Sequence, residues 1–178
     1  LQFFTNHIGH FILVTSLLDQ LAARGRVVVV ASDAHKGAPP EGIEFDNLSG
    51  ERGYRPFAAY GQSKLANILF ANELAKRLGT SGQTANSLHP GVIRTNLGRN
   101  MNFIARGALA LGAPLVLKSV SQGAATQCYV AVHPSLQGAT GKYFADCNEA
   151  TPTAHARDQA MAAKLWDVSE RIAAEVAA

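Results

Sequence analysis

With 178 residues, 47% of them hydrophobic and 16% charged, the chain has the size and composition of one soluble globular domain with a real core. Its net charge of +3 comes without Lys/Arg runs, which suits an anionic small molecule and excludes the basic stripe of a nucleic-acid binder. Cys128, Cys147 and the six histidines show no metal-ligand spacing, so neither a metal nor a disulfide framework is expected, and the setting is read as reducing and cytoplasmic.

Residues 5–24 place Ile8, Phe11, Ile12, Leu17, Leu18 and Leu21 at helical spacing, with Gly25 as a stop signal, and predict an amphipathic helix. Val27, Val28, Val29 and Val30 form a β-branched run without alternation, the pattern of a parallel strand buried on both faces, which needs neighbours on both sides. Ser32 and Asp33 leave its carboxyl end, the edge where open α/β sheets hold ligands. Residues 35–56, rich in Gly, Pro, Asp and Glu, read as a surface excursion with a short extended piece at 43–45. A helix is predicted over 56–78, with proline in its first turn, Lys76 and Arg77 in its last and Gly79 just beyond; its face through Leu65, Ile68, Leu69 and Leu74 is the core or partner side. Residues 84–88 form a short strand that ends in the turn His89-Pro90-Gly91. Residues 95–118 read as loop and short helix, either a flap over a site or part of the core. Ser119 and Gln122 have capping-box spacing and open a helix to about Val132, stopped by His133-Pro134. Residues 142–145 read as a last strand, and Met161, Leu165, Val168, Ile172 and Val176 mark a terminal amphipathic helix.

This alternation describes parallel βαβ units, hence an α/β fold with a single domain over residues 1–178 and no internal repeat. No stretch reaches about 18 uninterrupted apolar residues and no basic-then-apolar leader is present, so neither a membrane span nor a signal peptide is expected. The chain starts at Leu1, in the middle of the domain pattern, and an upstream part of the parent protein is expected to be missing.

Tyr60 and Lys64 lie four residues apart, on one face of the predicted helix, where a phenol and an ammonium can act on one ligand. The cation favours the phenolate and makes Tyr60 a candidate proton donor and acceptor. Such a pair also occurs on ordinary solvated helices, so its meaning depends on what accompanies it. Asn6 in a helix near the start, Ser32 at a strand end, Tyr60 and Lys64, and Pro90-Gly91 at a second strand end follow in an order that resembles the short-chain dehydrogenase/reductase family. The segments at 6–11, 31–35, 60–70, 88–95, 141–147 and 165–169 carry a closer resemblance to its retinol-dehydrogenase and WW-domain-oxidoreductase-like branch, and they cover nearly the whole chain.

The resemblance implies a Rossmann-type doubly wound parallel sheet and an NAD(P)-dependent oxidoreductase acting on an alcohol/carbonyl pair. It implies Tyr60 as general acid in reduction and base in oxidation, Lys64 as its tuner and a donor to the nicotinamide ribose, and Ser32 as the holder of the substrate oxygen. Asn6 would kink its helix and anchor a water leading protons to Lys64. Pro90, Gly91, Val92 and Thr95 match the segment that cradles the nicotinamide and its phosphates. The resemblance tilts towards NADP over NAD, and towards a homodimer or homotetramer built on a four-helix contact of the 5–24 and 56–78 helices.

The family's Gly-rich phosphate turn is absent, and no G-x-G-x-x-G spacing occurs in the 178 residues. The alternative is therefore a non-catalytic remnant that binds no dinucleotide and self-associates through the open edge of the Val27–Val30 strand. Asn6 also reads as a helix-start residue and Ser32 as a plain cap. Ser32, Asp33 and His35 lack the G-x-S-x-G elbow of a hydrolase. His89 reads as a packed turn residue and Cys147 as a small core residue. The apolar residues 101–117 read equally as core or as the wall of a lipophilic-substrate site.

Overall fold

In the computed structural model, which describes residues 1–93 and 118–177, the first predicted helix is divided into a π-helical turn over Phe4–Ile8, an α-helix (α1) over Gly9–Leu17 and a 3-10 turn over Leu18–Gln20. Strand β1 follows at Arg26–Val30, and a 3-10 turn at Asp33–Gly37 leads away from its carboxyl end. Helix α2, Pro56–Leu78, has the predicted bounds: Pro56 opens it where no N–H partner is needed, and Gly79 closes it at φ 53°. Strand β2 (Thr84–His89), helix α3 (Val120–Val132), strands β3 (Tyr143–Ala145) and β4 (Asn148–Glu149), and helix α4 (Gln159–Ala177) complete the described chain. The capping box of α3 forms as predicted, Ser119 Oγ accepting the Gln122 N–H and Gln122 Oε1 accepting the Ser119 N–H.

The sheet order is β1-β2-β3-β4. β1 pairs with β2 and β2 with β3 in parallel, Val30 lying opposite Leu88 and Leu88 opposite Phe144. β4, which the sequence pattern does not predict, returns antiparallel to β3 through Asp146 and Cys147. Both turn residues have positive φ, 51° and 58°, as a two-residue hairpin with the right-handed strand twist requires.

β1 differs from its expectation. Val29 is buried, but Val30 is 38% exposed, and among the described residues β1 pairs with β2 alone. The Ala31 N–H donates to Leu88 O. The Val30 carbonyl belongs to the same trans peptide and so points the opposite way, to the open edge.

The segment at 35–56 also differs. Pro39, Gly42 and Ile43 are buried, and Ile43 packs in one cluster with Leu65, Ile68, Leu69 and Leu165. Instead of an extended piece at 43–45 the chain turns, with a 3-10 turn at Phe45–Asn47, and the Glu44 N–H donates to Gln62 Oε1 of α2. Low periodicity hid a segment held by its backbone bonds rather than by alternating side chains.

Helix α2 is the centre of the core. Its Leu65, Ile68 and Leu69 meet Ile8, Tyr143 and Leu165, and its Phe70, Ala71 and Leu74 meet Phe11, Val29 and Trp166. Trp166 of α4 crosses Phe11 edge-on at 4.9 Å and stacks on Phe70 at 5.8 Å. The apolar α2 face, read from the sequence as core or partner side, is thus core and is covered in part by the chain's own α4, whereas α1 leaves Leu13 and Leu17 exposed. The expected flap or core stretch at 101–117 lies outside the described residues.

Candidate active site

Gly61 sets the distance between α2 and the end of β1. A Cβ at this position would stand 2.7 Å from each of Ala34 O, Gly37 C and Ala38 N. The 3-10 turn that follows Ser32 therefore rests its backbone directly on the helix, one residue from Tyr60. Backbone atoms fixed by their own hydrogen bonds cannot give way as a side chain can. Gly61→Ala is expected to cost about 1–3 kcal/mol of stability, measured as a shift in the denaturant midpoint at unchanged m-value.

Tyr60 and Lys64 share one side of α2, with the Lys64 Nζ 5.7 Å from the centre of the Tyr60 ring. The Lys64 ammonium donates to Val30 O at 3.2 Å, and the buried Asn67 Nδ2 donates to the same oxygen at 3.2 Å. The carbonyl that an edge strand leaves unpaired is thus capped by two donors from one helix, and Lys64 is tied to the carboxyl end of β1. Burial holds the Lys64 pKa below the ordinary lysine value.

Ser32, two residues beyond Val30, is half-buried, and its Oγ accepts the Ala34 N–H at 3.2 Å. The plain-cap reading is therefore correct as geometry, yet it leaves the hydroxyl proton free to be donated elsewhere. Two histidines hold the backbone around it. His35 Nδ1 donates to Ser32 O at 2.8 Å, and the Asp33 N–H donates to His89 Nδ1 at 3.1 Å.

Asn6 lies in the π-helical turn, where the helix widens by one residue, a local distortion frequent at functional sites. Its Nδ2 donates to Ser63 Oγ at 3.1 Å, and that hydroxyl donates to Tyr60 O at 2.8 Å. Next to it, His7 is buried against α2 and α4: its Nε2 lies 2.9 Å from Ser169 Oγ, and its Nδ1 and Asn67 Oδ1 sit in the same interior without a well-formed hydrogen bond. Burial lowers the His7 pKa from 6.5 to about 3.

Pro90, Gly91 and Val92 leave the carboxyl end of β2, with Gly91 at φ 92° and Val92 half exposed. The space beside Gly91 is filled by the stem of Lys118, whose ammonium is paired with Asp146. Thr95 lies outside the described residues. Gly61 and Asn67 belong to the neighbourhood of the site and escape a reading of the sequence, whereas His35 and His89 read from the sequence only as part of a hydrolase-like set and as a packed turn residue. A glycine inside a strongly helical run was the available signal for the first, and Asn67, one turn from Lys64, for the second.

No family model matches the chain. It is 46% identical over 180 residues to the short-chain dehydrogenase TIC 32 B, chloroplastic, of Brassica napus, an alignment that covers 96% of this chain and 56% of that protein. It is 43% identical over 174 residues to retinol dehydrogenase 14 of Mus musculus, covering 96% of this chain and 51% of that protein. The chain belongs to the short-chain dehydrogenase/reductase family. It spans about half the length of the curated relatives it matches. Among solved structures, an uncharacterized protein from Mycobacterium Paratuberculosis matches with a TM-score of 0.66 at 31% identity, over 96% of this chain and 57% of that one. The α/β fold with a mostly parallel sheet is the fold of these neighbours.

Short-chain dehydrogenase/reductases use a nicotinamide cofactor, and the residues present fit one end of it. The Lys64 ammonium carries three donors, of which one is engaged by Val30 O, so two remain for the hydroxyls of a ribose. The pyrophosphate end would need a Gly-rich turn, and the 178 residues hold none. No described helix is long and apolar enough to cross a membrane.

Proposed function

We propose that this chain carries the catalytic face of an NAD(P)-dependent oxidoreductase that transfers a hydride between a nicotinamide cofactor and an alcohol/carbonyl pair, with a lipophilic substrate favoured. The observation that supports this most directly is the Lys64 ammonium, on the Tyr60 side of α2 and tied to the carboxyl end of β1 two residues before Ser32. In this reading residues 1–178 form one Rossmann-type domain. Asn6, Ser32, Tyr60 and Lys64 are catalytic, and Pro90, Gly91, Val92 and Thr95 hold the nicotinamide together with Tyr60 and Lys64. NADP is preferred over NAD.

When bound, the cofactor supplies or accepts the hydride. A carbonyl being reduced turns into an oxyanion, which needs a fixed donor and then a proton. Ser32 donates a hydrogen bond from its free hydroxyl to that oxygen, one of its two lone pairs being already occupied by the Ala34 N–H. Tyr60 gives up the proton, and Lys64 compensates the charge left on the phenolate. For alcohol oxidation the same groups run in reverse. Asn6 braces the turn carrying Tyr60 through Ser63, and in this reading it also anchors the water that leads protons to Lys64.

Calorimetric titration of this chain with NADPH and NADH tests the reading. Saturable binding, tighter for NADPH, is expected, and weakened binding in Lys64→Ala should follow from the removed ribose donors. The open edge of β1 favours a second reading, the self-associating remnant. No heat with either dinucleotide, together with a homodimer or homotetramer in light scattering, decides for the remnant; a binding-competent cytoplasmic enzyme decides against it.

A further inference from the structure

The backbone that carries Ser32 is fastened by two imidazoles whose protonation states are dictated by what they touch. A carbonyl oxygen can only accept, so His35 Nδ1, 2.8 Å from Ser32 O, carries a proton. A backbone N–H can only donate, so His35 Nε2, which receives the Thr153 N–H at 3.3 Å, carries none. His35 is therefore neutral and joins the Ser32 turn to the segment before α4. His89 has the opposite arrangement: its Nδ1 accepts the Asp33 N–H at 3.1 Å and must be bare. This links the end of β2, at Pro90-Gly91, to the residue after Ser32.

We propose that His35 and His89 are positioning residues for the Ser32 hydroxyl, a clamp of two neutral imidazoles in opposite tautomers that grips the turn from both sides. The assignment of Ser32 as the substrate-oxygen donor rests on the dehydrogenase reading above; the clamp itself does not. Protonating either ring converts an acceptor into a donor that faces a backbone N–H, and the grip on that side is lost. His35 is buried, with the Tyr143 ring edge-on at 5.4 Å, and Asp33 and Lys36 are the charges that face it. His89 is faced by Asp33, Lys36, Lys118 and Asp146, two charges of each sign. In both rings desolvation outweighs those charges and lowers the pKa from 6.5. The clamp is therefore complete above pH 6.5 and opens as the pH falls through the lowered values.

Ring 15N NMR of this chain at pH 7.5 is expected to show His35 protonated at Nδ1 and bare at Nε2, and His89 bare at Nδ1. The Asp33 and Thr153 amides should be protected from hydrogen exchange at that pH and lose protection together with ring protonation on acidification. In His89→Asn the carboxamide oxygen replaces Nδ1 and cannot titrate, so Asp33 protection should persist to low pH. In His89→Leu the same amide should exchange about five- to tenfold faster at pH 7.5, the loss of one net hydrogen bond, and the difference from the parent should vanish as the parent's ring is protonated. A His89 ring protonated at Nδ1, or an Asp33 amide indifferent to residue 89, overturns the clamp whatever Tyr60 does. Correct tautomers alongside unchanged turnover in Tyr60→Phe would instead overturn the dehydrogenase reading and leave the clamp standing.

Discussion

Tyr60→Phe is expected, on the proposed role of Tyr60, to lower kcat by about 10²–10⁴-fold, the usual contribution of a positioned general acid, while nicotinamide binding changes little. Phenylalanine keeps the ring, and with it the packing against Lys64, whose ammonium lies 5.7 Å from the ring centre. The bonds that place α2 against its neighbours do not involve the phenol: Ser63 holds the Tyr60 carbonyl, Lys64 holds Val30 O, and Gly61 sets the approach of the Ser32 turn. Only the proton source is removed. Ser32 then still holds the substrate oxygen but has no second proton to give, so the loss falls on kcat rather than on KM. In the proposed mechanism Lys64→Ala differs in kind, because it removes both the compensating charge and the ribose donors and should weaken binding and turnover together. Turnover of Tyr60→Phe within twofold of the parent, or an equal loss of cofactor binding, would remove the assignment of Tyr60 as the acid.

What could be foreseen from the chain was what local chemistry fixes. Pro56 and Gly79 bound α2 to the residue, and the Ser119–Gln122 reciprocity opened α3, because each signal acts on backbone groups within one turn of itself. The placement of Tyr60 and Lys64 on one side followed from helical period alone. Contacts that depend on distant partners were not legible. Gly61 looks like any helix glycine until Ala34, Gly37 and Ala38 arrive against it. The valines of β1 read as a fully buried strand because their side chains report hydrophobicity and not which neighbours are paired; Val30 is exposed at an edge whose carbonyl Lys64 and Asn67 cap. The apolar face of α2 likewise announced burial without naming the cover, which is Leu165 and Trp166 of α4. The resemblance implies that Asn6 kinks its helix and anchors a water leading protons to Lys64. In the structure the distortion is a π-helical turn, and the side chain bonds to Ser63.

The same separation between local and distant causes gives His7 its effect on stability, which is expected to fall steeply in acid. His7 is 1% exposed and is wedged between Ser169 of α4 and Asn67 of α2. Ser169 Oγ lies 2.7 Å from Leu165 O and 2.9 Å from His7 Nε2, so its hydroxyl bridges ring and helix. At this burial the ring is shielded from solvent, which can do little to stabilise a proton gained there, and burial lowers the pKa from 6.5 to about 3. Between those values the unfolded chain binds a proton that the native chain refuses. Stability is therefore complete above pH 6.5, declines as the pH drops, and levels off only below the native value. The slope for this one group is about tenfold in the folding equilibrium per pH unit. His35 and His89, also lowered by burial, act in the same direction. Urea midpoints taken at several pH values from 7.5 to 4 should show this decline, and His7→Gln, although less stable at pH 7.5, should show a slope shallower by about one proton. Equal slopes in the two proteins would mean that the ring is hydrated or already charged in the native state. The close joint of the π-helical turn, α2 and α4 would then not be the place where acid opens the fold.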